Sequence, residues 1–102
     1  MPTRLRTAPL EPHVLAEAAE VIRVLGHPVR LRIIECLEAG ERTVSELQQR
    51  LRAPQAIVSQ QLARMRAAGM VACRREGSSR YYRVADQRVV QVLSCLRNRE
   101  RK

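Results

Sequence analysis

Residues 54–84 read PQAIVSQQLARMRAAGMVACRREGSSRYYRV, and this stretch decides the fold. Its first half, Pro54 to Ala68, repeats apolar residues at Val58, Leu62 and Met65, the three-and-four spacing of one helix face. Pro54 suits the opening of that helix and Gly69 its stop. On a wheel of about 100° per residue, Gln60 lies nearly opposite the apolar stripe, among Ala56, Ser59, Ala63 and Arg64. The second half holds two short extended runs, Met70–Arg75 and Arg80–Val84, around the turn-prone Glu76-Gly77-Ser78-Ser79. Val71/Cys73 and Tyr82/Val84 alternate with polar neighbours, as in a half-buried hairpin.

Just upstream, Thr43 and Glu46 form a capping-box pattern before Val44, Leu47 and Leu51. That short helix ends near Arg52, and Ala53-Pro54 breaks the chain. Further upstream, a helical period starts at His13 and carries Val14, Leu15, Ala18, Val21, Ile22 and Leu25. Gly26-His27-Pro28 ends that helix and starts another, which runs to about Glu38 and stops at Ala39-Gly40. The second helix carries Val29, Leu31, Ile33, Ile34, Cys36 and Leu37 around more than half its circumference, so it should be largely buried. Downstream, Asp86 caps a last helix with Val89, Val92, Leu93 and Leu96 on one face. Pro2, Pro9 and Pro12 mark residues 1–12 as a flexible tail, 13–97 as the folded domain and 98–102 as a basic tail. The order is α-α-α-α-β-β-α: five helices and a small β-hairpin, mainly α, a winged helix-turn-helix without internal repeats.

Composition agrees with this order. The 102 residues suffice for one domain. With no Trp, no Phe and only two Tyr, the core must be aliphatic. The net charge of +9 comes from 18 Arg and Lys102 against 10 acidic residues, and it is unevenly placed. Residues 1–49 hold 6 basic and 7 acidic groups, whereas 50–83 hold 8 basic and 1 acidic. An isolated Arg run is an ordinary solvated face. A concentrated excess beside a groove-sized helix points to a polyanion. A major groove admits one helix that is apolar on the side of the protein body and short and polar on the other. Gln60 can bond adenine bidentately, Ser59 a base or a phosphate, and Ala56 can touch a thymine methyl. Gln55 and Gln61 stand beside them, while Arg64 and Arg66 suit phosphates. Arg74, Arg75, Ser78 and Arg80 would form a wing over the backbone or in the minor groove. The expectation is one continuous basic surface built from the arginines after position 49.

The stretch from "HPVRLRII" through "GERTVSEL" and "VSQQLARMRAAGMV" to "RREGSSRYYRV" resembles the ArsR/SmtB family of bacterial winged-helix repressors. The resemblance spans roughly residues 14–96, with Gln61 where many members carry His. It implies a homodimer joined through the first and last helices. It also implies binding to an imperfect inverted repeat in double-stranded DNA, and release on sensing a metal, metalloid or oxidant.

Two family metal sites fail residue by residue. Where a Cys-Val-Cys thiolate pattern would open the third helix, the chain reads Thr43-Val44-Ser45. Where Asp-x-His would start a zinc site on the last helix, Asp86 is followed by Gln87-Arg88, and no His lies beyond His27. No metal site and no cofactor is expected. The recognition-helix and wing wording resembles the branch that senses reactive sulfur or oxidants, which pairs one Cys of the second helix with one of the last. Cys36 and Cys95 lie in those two helices, one residue late and several residues early, which makes them the sensing candidates. The residues themselves leave other readings open: Cys36 as a small buried hydrophobe, three thiols converging on As(III), or no ligand at all. Cys73 reads as structural.

An enzyme would need a nucleophile and a base in a pocket; only His13 and His27 are available, and no phosphate loop or nucleophile elbow occurs. Single-stranded RNA readers stack bases on aromatics, and only Tyr81 and Tyr82 are offered. Met1 to Pro12 lacks the apolar run of a signal peptide, no 18-residue apolar run occurs, and three scattered cysteines make no disulfide framework. A reducing cytoplasm, away from membranes, is the expected setting.

Overall fold

The structure, a computed structural model, describes residues 8–100 apart from the Glu100 side chain. Most of the tail expected over 1–12, and the last two residues of the tail 98–102, lie outside the described residues.

Helix α1 spans Pro12–Leu25. Pro12 occupies its first turn, where the missing N–H has no intrahelical partner to lose, so this proline starts the helix one residue ahead of His13 rather than blocking it. Helix α2 spans Pro28–Glu38, and the Nδ1 atom of His27 caps it by accepting from the Val29 N–H at 3.1 Å. A two-residue strand β1, Arg42–Thr43, leads into α3, Val44–Leu51. Both arms of the capping box are made: Thr43 Oγ1 accepts from the Glu46 N–H at 3.2 Å, and Glu46 Oε1 from the Thr43 N–H at 2.8 Å. Helix α4, Gln55–Ala67, follows Pro54 and ends at Ala68-Gly69, where Gly69 takes φ +78°.

Strands β2, Val71–Glu76, and β3, Ser79–Val84, pair antiparallel from Val71↔Val84 to Glu76↔Ser79. The expected four-residue turn thus tightens to Gly77-Ser78, with Gly77 at φ +63° as such a turn demands. Helix α5, Gln87–Glu100, begins behind Asp86, whose Oδ1 accepts from the Arg88 N–H at 3.0 Å.

The architecture is the expected five helices and hairpin, extended by β1. The sheet order is β1-β3-β2, with Arg42 opposite Tyr82 and Thr43 opposite Tyr81. Two residues are too few to show strand alternation, and the sequence marks Thr43 only as a helix cap, so β1 is not legible beforehand.

The core gathers Val21, Val24 and Leu25 of α1, Ile33, Ile34 and Leu37 of α2, Leu47 of α3 and Val58, Leu62 and Met65 of α4. Met70, Val71 and Tyr82 close it from the hairpin side and Val89 from α5. Within α2 the expected burial is divided: Ile33, Ile34 and Leu37 are enclosed, while Val29, Leu31 and Cys36 pack half-buried at the margin. The first half of α1 contributes no buried residue to this; every residue from Pro12 to Glu20 is exposed. Leu62 has no exposed surface, so Leu62→Ala should lower unfolding stability by about 2–5 kcal/mol, read as a fall in the urea midpoint at unchanged slope.

Candidate nucleic-acid interface

Helices α3 and α4 pack together as a helix-turn-helix, and α4 rests on β2. Val58, Leu62 and Met65 hold α4 down, and its outer edge is open: Gln55, Ala56, Gln60, Ala63, Arg64, Arg66 and Ala67 are exposed and Ser59 is half-buried. The centre of that edge is small, with Ala56, Ala63 and Ala67 around Gln60, so little side-chain bulk holds the helix away from an approaching surface. Arg64 and Arg66, about 200° apart around the helix, flank the edge on either side.

Gln61 is a correction. It is 5% exposed and does not reach the outer edge. Its Oε1 accepts from Arg30 Nε at 2.7 Å, while Arg30 Nη1 donates to the Val24 carbonyl at 2.8 Å. Gln61 is three residues after Val58 and four before Met65, which places it on the buried lattice of the helix. That spacing was the available signal. Nothing local in the sequence announces its partner Arg30, because the contact joins α2 to α4 across 31 residues.

The wing needs a second correction. Side chains alternate across a strand, and the register places Arg75 directly opposite Arg80 on the face that carries Val71 and Tyr82 inward. Arg74 stands opposite Tyr81 on the other face, which it shares with Arg83. The guanidinium of Arg74 lies 4.8 Å from the Tyr81 ring centre and pairs with Glu41 at 2.9 Å and Glu76 at 3.5 Å. Its charge is thereby committed to bracing the sheet. The arginines after position 49 do not form one continuous surface. Arg75 and Arg80, on the sheet face that carries Val71 and Tyr82 inward, have no carboxylate partner among the described residues, while Arg74 and Arg83 lie on the opposite face. Ser78 is exposed at the tip.

A directly opposed like-charged pair destabilises a sheet unless a counter-charge is supplied. The pair Arg75–Arg80 therefore costs the free protein stability and favours an anionic ligand.

The Arg74 hydrogen bond holds the Glu41 carboxyl below the usual carboxylate range; the charges of Arg74 and Arg83 add to this and partial burial opposes it. Among the thiols, Cys36 and Cys73 are half-buried against the core, and Cys95 on α5 is exposed. No group of three or more potential metal-ligating side chains occurs among the described residues, and no described helix is long and apolar enough to cross a membrane.

The model of the arsR family of bacterial regulatory proteins matches residues 27–72. The HTH-type transcriptional repressor SmtB of Mycobacterium tuberculosis is 38% identical over 86 residues, covering 84% of this chain and 64% of SmtB. The crystal structure of the transcriptional repressor BigR from Xylella fastidiosa superposes with a TM-score of 0.77 at 35% identity, covering 80% of this chain and 84% of that one. A homodimeric winged helix-turn-helix DNA-binding domain from Mycobacterium bovis superposes with a TM-score of 0.72 at 28% identity, over 89% and 87% of the two chains. The chain belongs to the arsR family. The resemblance read from the sequence is thus met in full at the level of family and fold, and the family is one of transcriptional regulators, not enzymes. The chain spans just under two thirds of SmtB.

The depressed Glu41 carboxyl fixes the sign of a pH effect. Its pairing with Arg74 contributes fully above the ordinary carboxylate range and is lost as pH falls through the lowered folded value. Between about pH 6 and pH 3, the thermal midpoint of Glu41→Gln should fall less steeply than that of the wild type. Parallel curves would remove Glu41 from the acid response.

Proposed function

We propose that this arsR-family protein is a sequence-specific DNA-binding transcriptional repressor that acts as a homodimer in the cytoplasm. One observation carries the reading: α4 presents an exposed, small-centred edge around Gln60, in a molecule whose wing pair Arg75 and Arg80 has no carboxylate partner among the described residues. In this reading Ala56, Ser59 and Gln60 meet base edges, with Gln55 beside them, and Arg64, Arg66, Arg75, Ser78 and Arg80 meet the backbone. SmtB and BigR, which share this family, are repressors by name.

The dimer follows from what α1 and the residues just before it leave uncovered. Leu10 is 59% exposed, Leu15 53% and Ile22 66%, and Leu96 of the adjoining α5 is 52% exposed. Such an apolar strip on a short chain suits a second copy, in line with the homodimeric Mycobacterium bovis relative. Two-fold symmetry then sets the operator as an imperfect inverted repeat with half-sites about one helical turn apart. Gln60→Ala should lose roughly 1–3 kcal/mol of discrimination at one base step of a selected operator duplex, measured against single-base variants. Stronger binding to single-stranded RNA than to duplex DNA in direct competition would sink the reading.

The exposure of Cys95 favours a second element, release of the operator on a thiol-based redox or sulfur signal. Cys95 lines the α1–α5 groove with Ala18, Val21, Ile22 and Val92. A chemical change there would act on the surface proposed for dimerisation. Attack of the Cys95 thiolate on a peroxide breaks the O–O bond and leaves a sulfenic acid and hydroxide. Cys36, half-buried against the core, is the less accessible of the two sensing candidates. A metalloid response has weaker support, because the three thiols sit on three different elements. Cys95→Ser should keep its hold on the operator in peroxide or persulfide while the wild type lets go; equal release from both would remove Cys95 from sensing.

A further inference from the structure

Four described residues have a positive φ: Gly40, Gly69, Gly77 and Arg52. The chain places glycine at three of them. At the fourth it places an arginine, at φ 53° and ψ 44°, in the left-handed region that L side chains adopt only at a cost. Arg52 is the residue that ends α3, inside the turn between α3 and α4, three positions before α4 begins. The backbone N–H groups of Arg52 and Ala53 both donate to the Gln48 carbonyl, so the turn is closed by main-chain bonds and glycine would make the same ones. The turn therefore needs the conformation and has no need of the side chain.

The side chain is exposed, and its guanidinium has no hydrogen-bond or ion-pair partner among the described residues. It borders an open cleft of about 570 Å³ lined by Ser45, Gln48, Gln49 and Pro54. That lining contains hydrogen-bond donors from a hydroxyl and two amides, and no carboxylate. The groove between α2 and the sheet differs, since Glu38 and Glu41 both line it. A donor-rich cleft with an unpaired arginine at its rim is matched to a phosphate oxygen. A backbone held in a disfavoured region at such a place points from strain to function.

We infer that Arg52 is a phosphate-binding residue of the helix-turn-helix corner, gripping the DNA backbone beside the groove that α4 enters, with Ser45 and Gln49 as neighbouring donors. This rests on the duplex-DNA reading above and adds to it a contact outside both α4 and the wing.

The probe is a mixed-sequence DNA duplex of roughly 30 base pairs, because phosphate contacts are independent of sequence. Binding of the full chain is followed by fluorescence anisotropy from about 50 to 200 mM salt, and thermal midpoints are measured alongside. Arg52→Gly should bind roughly three- to tenfold more weakly, with the salt slope shallower by about one per subunit. Its thermal midpoint should equal or exceed the wild type by up to about 4 °C, the released strain being offset in part by glycine's freer unfolded chain. Arg52→Asn, neutral and tolerant of positive φ, should show the same binding loss, and Arg52→Lys should keep most of the salt slope. A residue that only shapes the turn would give losses that follow stability and not charge.

If Arg52→Gly and Arg52→Asn bind like the wild type while Arg75→Ala loses affinity, the Arg52 contact is overturned and the DNA reading stands. A thermal midpoint for Arg52→Gly below that of the wild type overturns the strain argument and the inference with it. Absence of salt-dependent duplex binding in the wild type itself overturns the DNA reading from which the inference starts.

Discussion

Everything the interface offers depends on how α4 is seated. Val58, Leu62 and Met65 have no exposed surface, and they lock one side of the helix against α3 and the hairpin. Burial of three such side chains contributes on the order of 5–9 kcal/mol of gross hydrophobic free energy, against a net stability that is a small difference between much larger opposing terms. The cost of holding the opposite edge rigid and presented to solvent is met in the core. Gln61 adds direction to that hold. Its bond to Arg30, which also reaches the end of α1 at the Val24 carbonyl, ties the rotation of α4 about its own axis to the α1–α2 corner. An apolar residue at that position would seat the helix without tying it to α1.

Charge in this molecule is sorted by use. Several arginines are paired with carboxylates, Arg23 with Glu20, Arg74 with Glu41, Arg88 with Asp86 and Arg97 with Glu38, while Arg30 braces the fold through the Gln61 side chain and the Val24 carbonyl. Arg52, Arg75 and Arg80 have no carboxylate partner among the described residues, and they sit in unfavourable arrangements, the opposed pair Arg75–Arg80 and the left-handed backbone of Arg52. Exposed ion pairs contribute little to stability. The informative feature is therefore which arginines the sequence leaves unpaired, and in the proposed DNA reading a phosphate backbone would supply what those lack.

How much of this was legible in the sequence follows from the range of each signal. The α4 stripe, the Thr43–Glu46 box, the hairpin and the Asp86 cap are local patterns, each complete within a few residues, and each is found where the sequence puts it. Strand β1 and the partners of Gln61 and Arg74 are not legible, because all three depend on pairings between distant segments: Arg42 with Tyr82, Arg30 with Gln61, Glu41 with Arg74. The division of the wing arginines was available in principle. Once Val71 and Tyr82 are taken as inward, alternation places Arg75 and Arg80 on that face and Arg74 on the other. Counting net charge over residues 50–83 hides this, since a sum has no direction. Gln61 shows the same fault, where residue type outweighed its place between Val58 and Met65.

The exposed half of α1 links the size of the chain to its proposed mode of action. About a hundred residues bury a limited core, and here a whole helical half, Pro12 to Glu20, adds nothing to it. That half-helix adds little to the core of a monomer, and Leu15 within it, with Leu10 before it and Ile22 after it, leaves apolar surface exposed. In a dimer formed over α1 and α5 the same residues become core, and the two α4 edges acquire a fixed separation. Folding, dimerisation and reading of a two-part DNA site then draw on one set of contacts. A change at Cys95, which lies in the α1–α5 groove, would not need to touch α4 to alter DNA binding. It would need only to shift the angle between two subunits whose recognition helices must enter successive major grooves together.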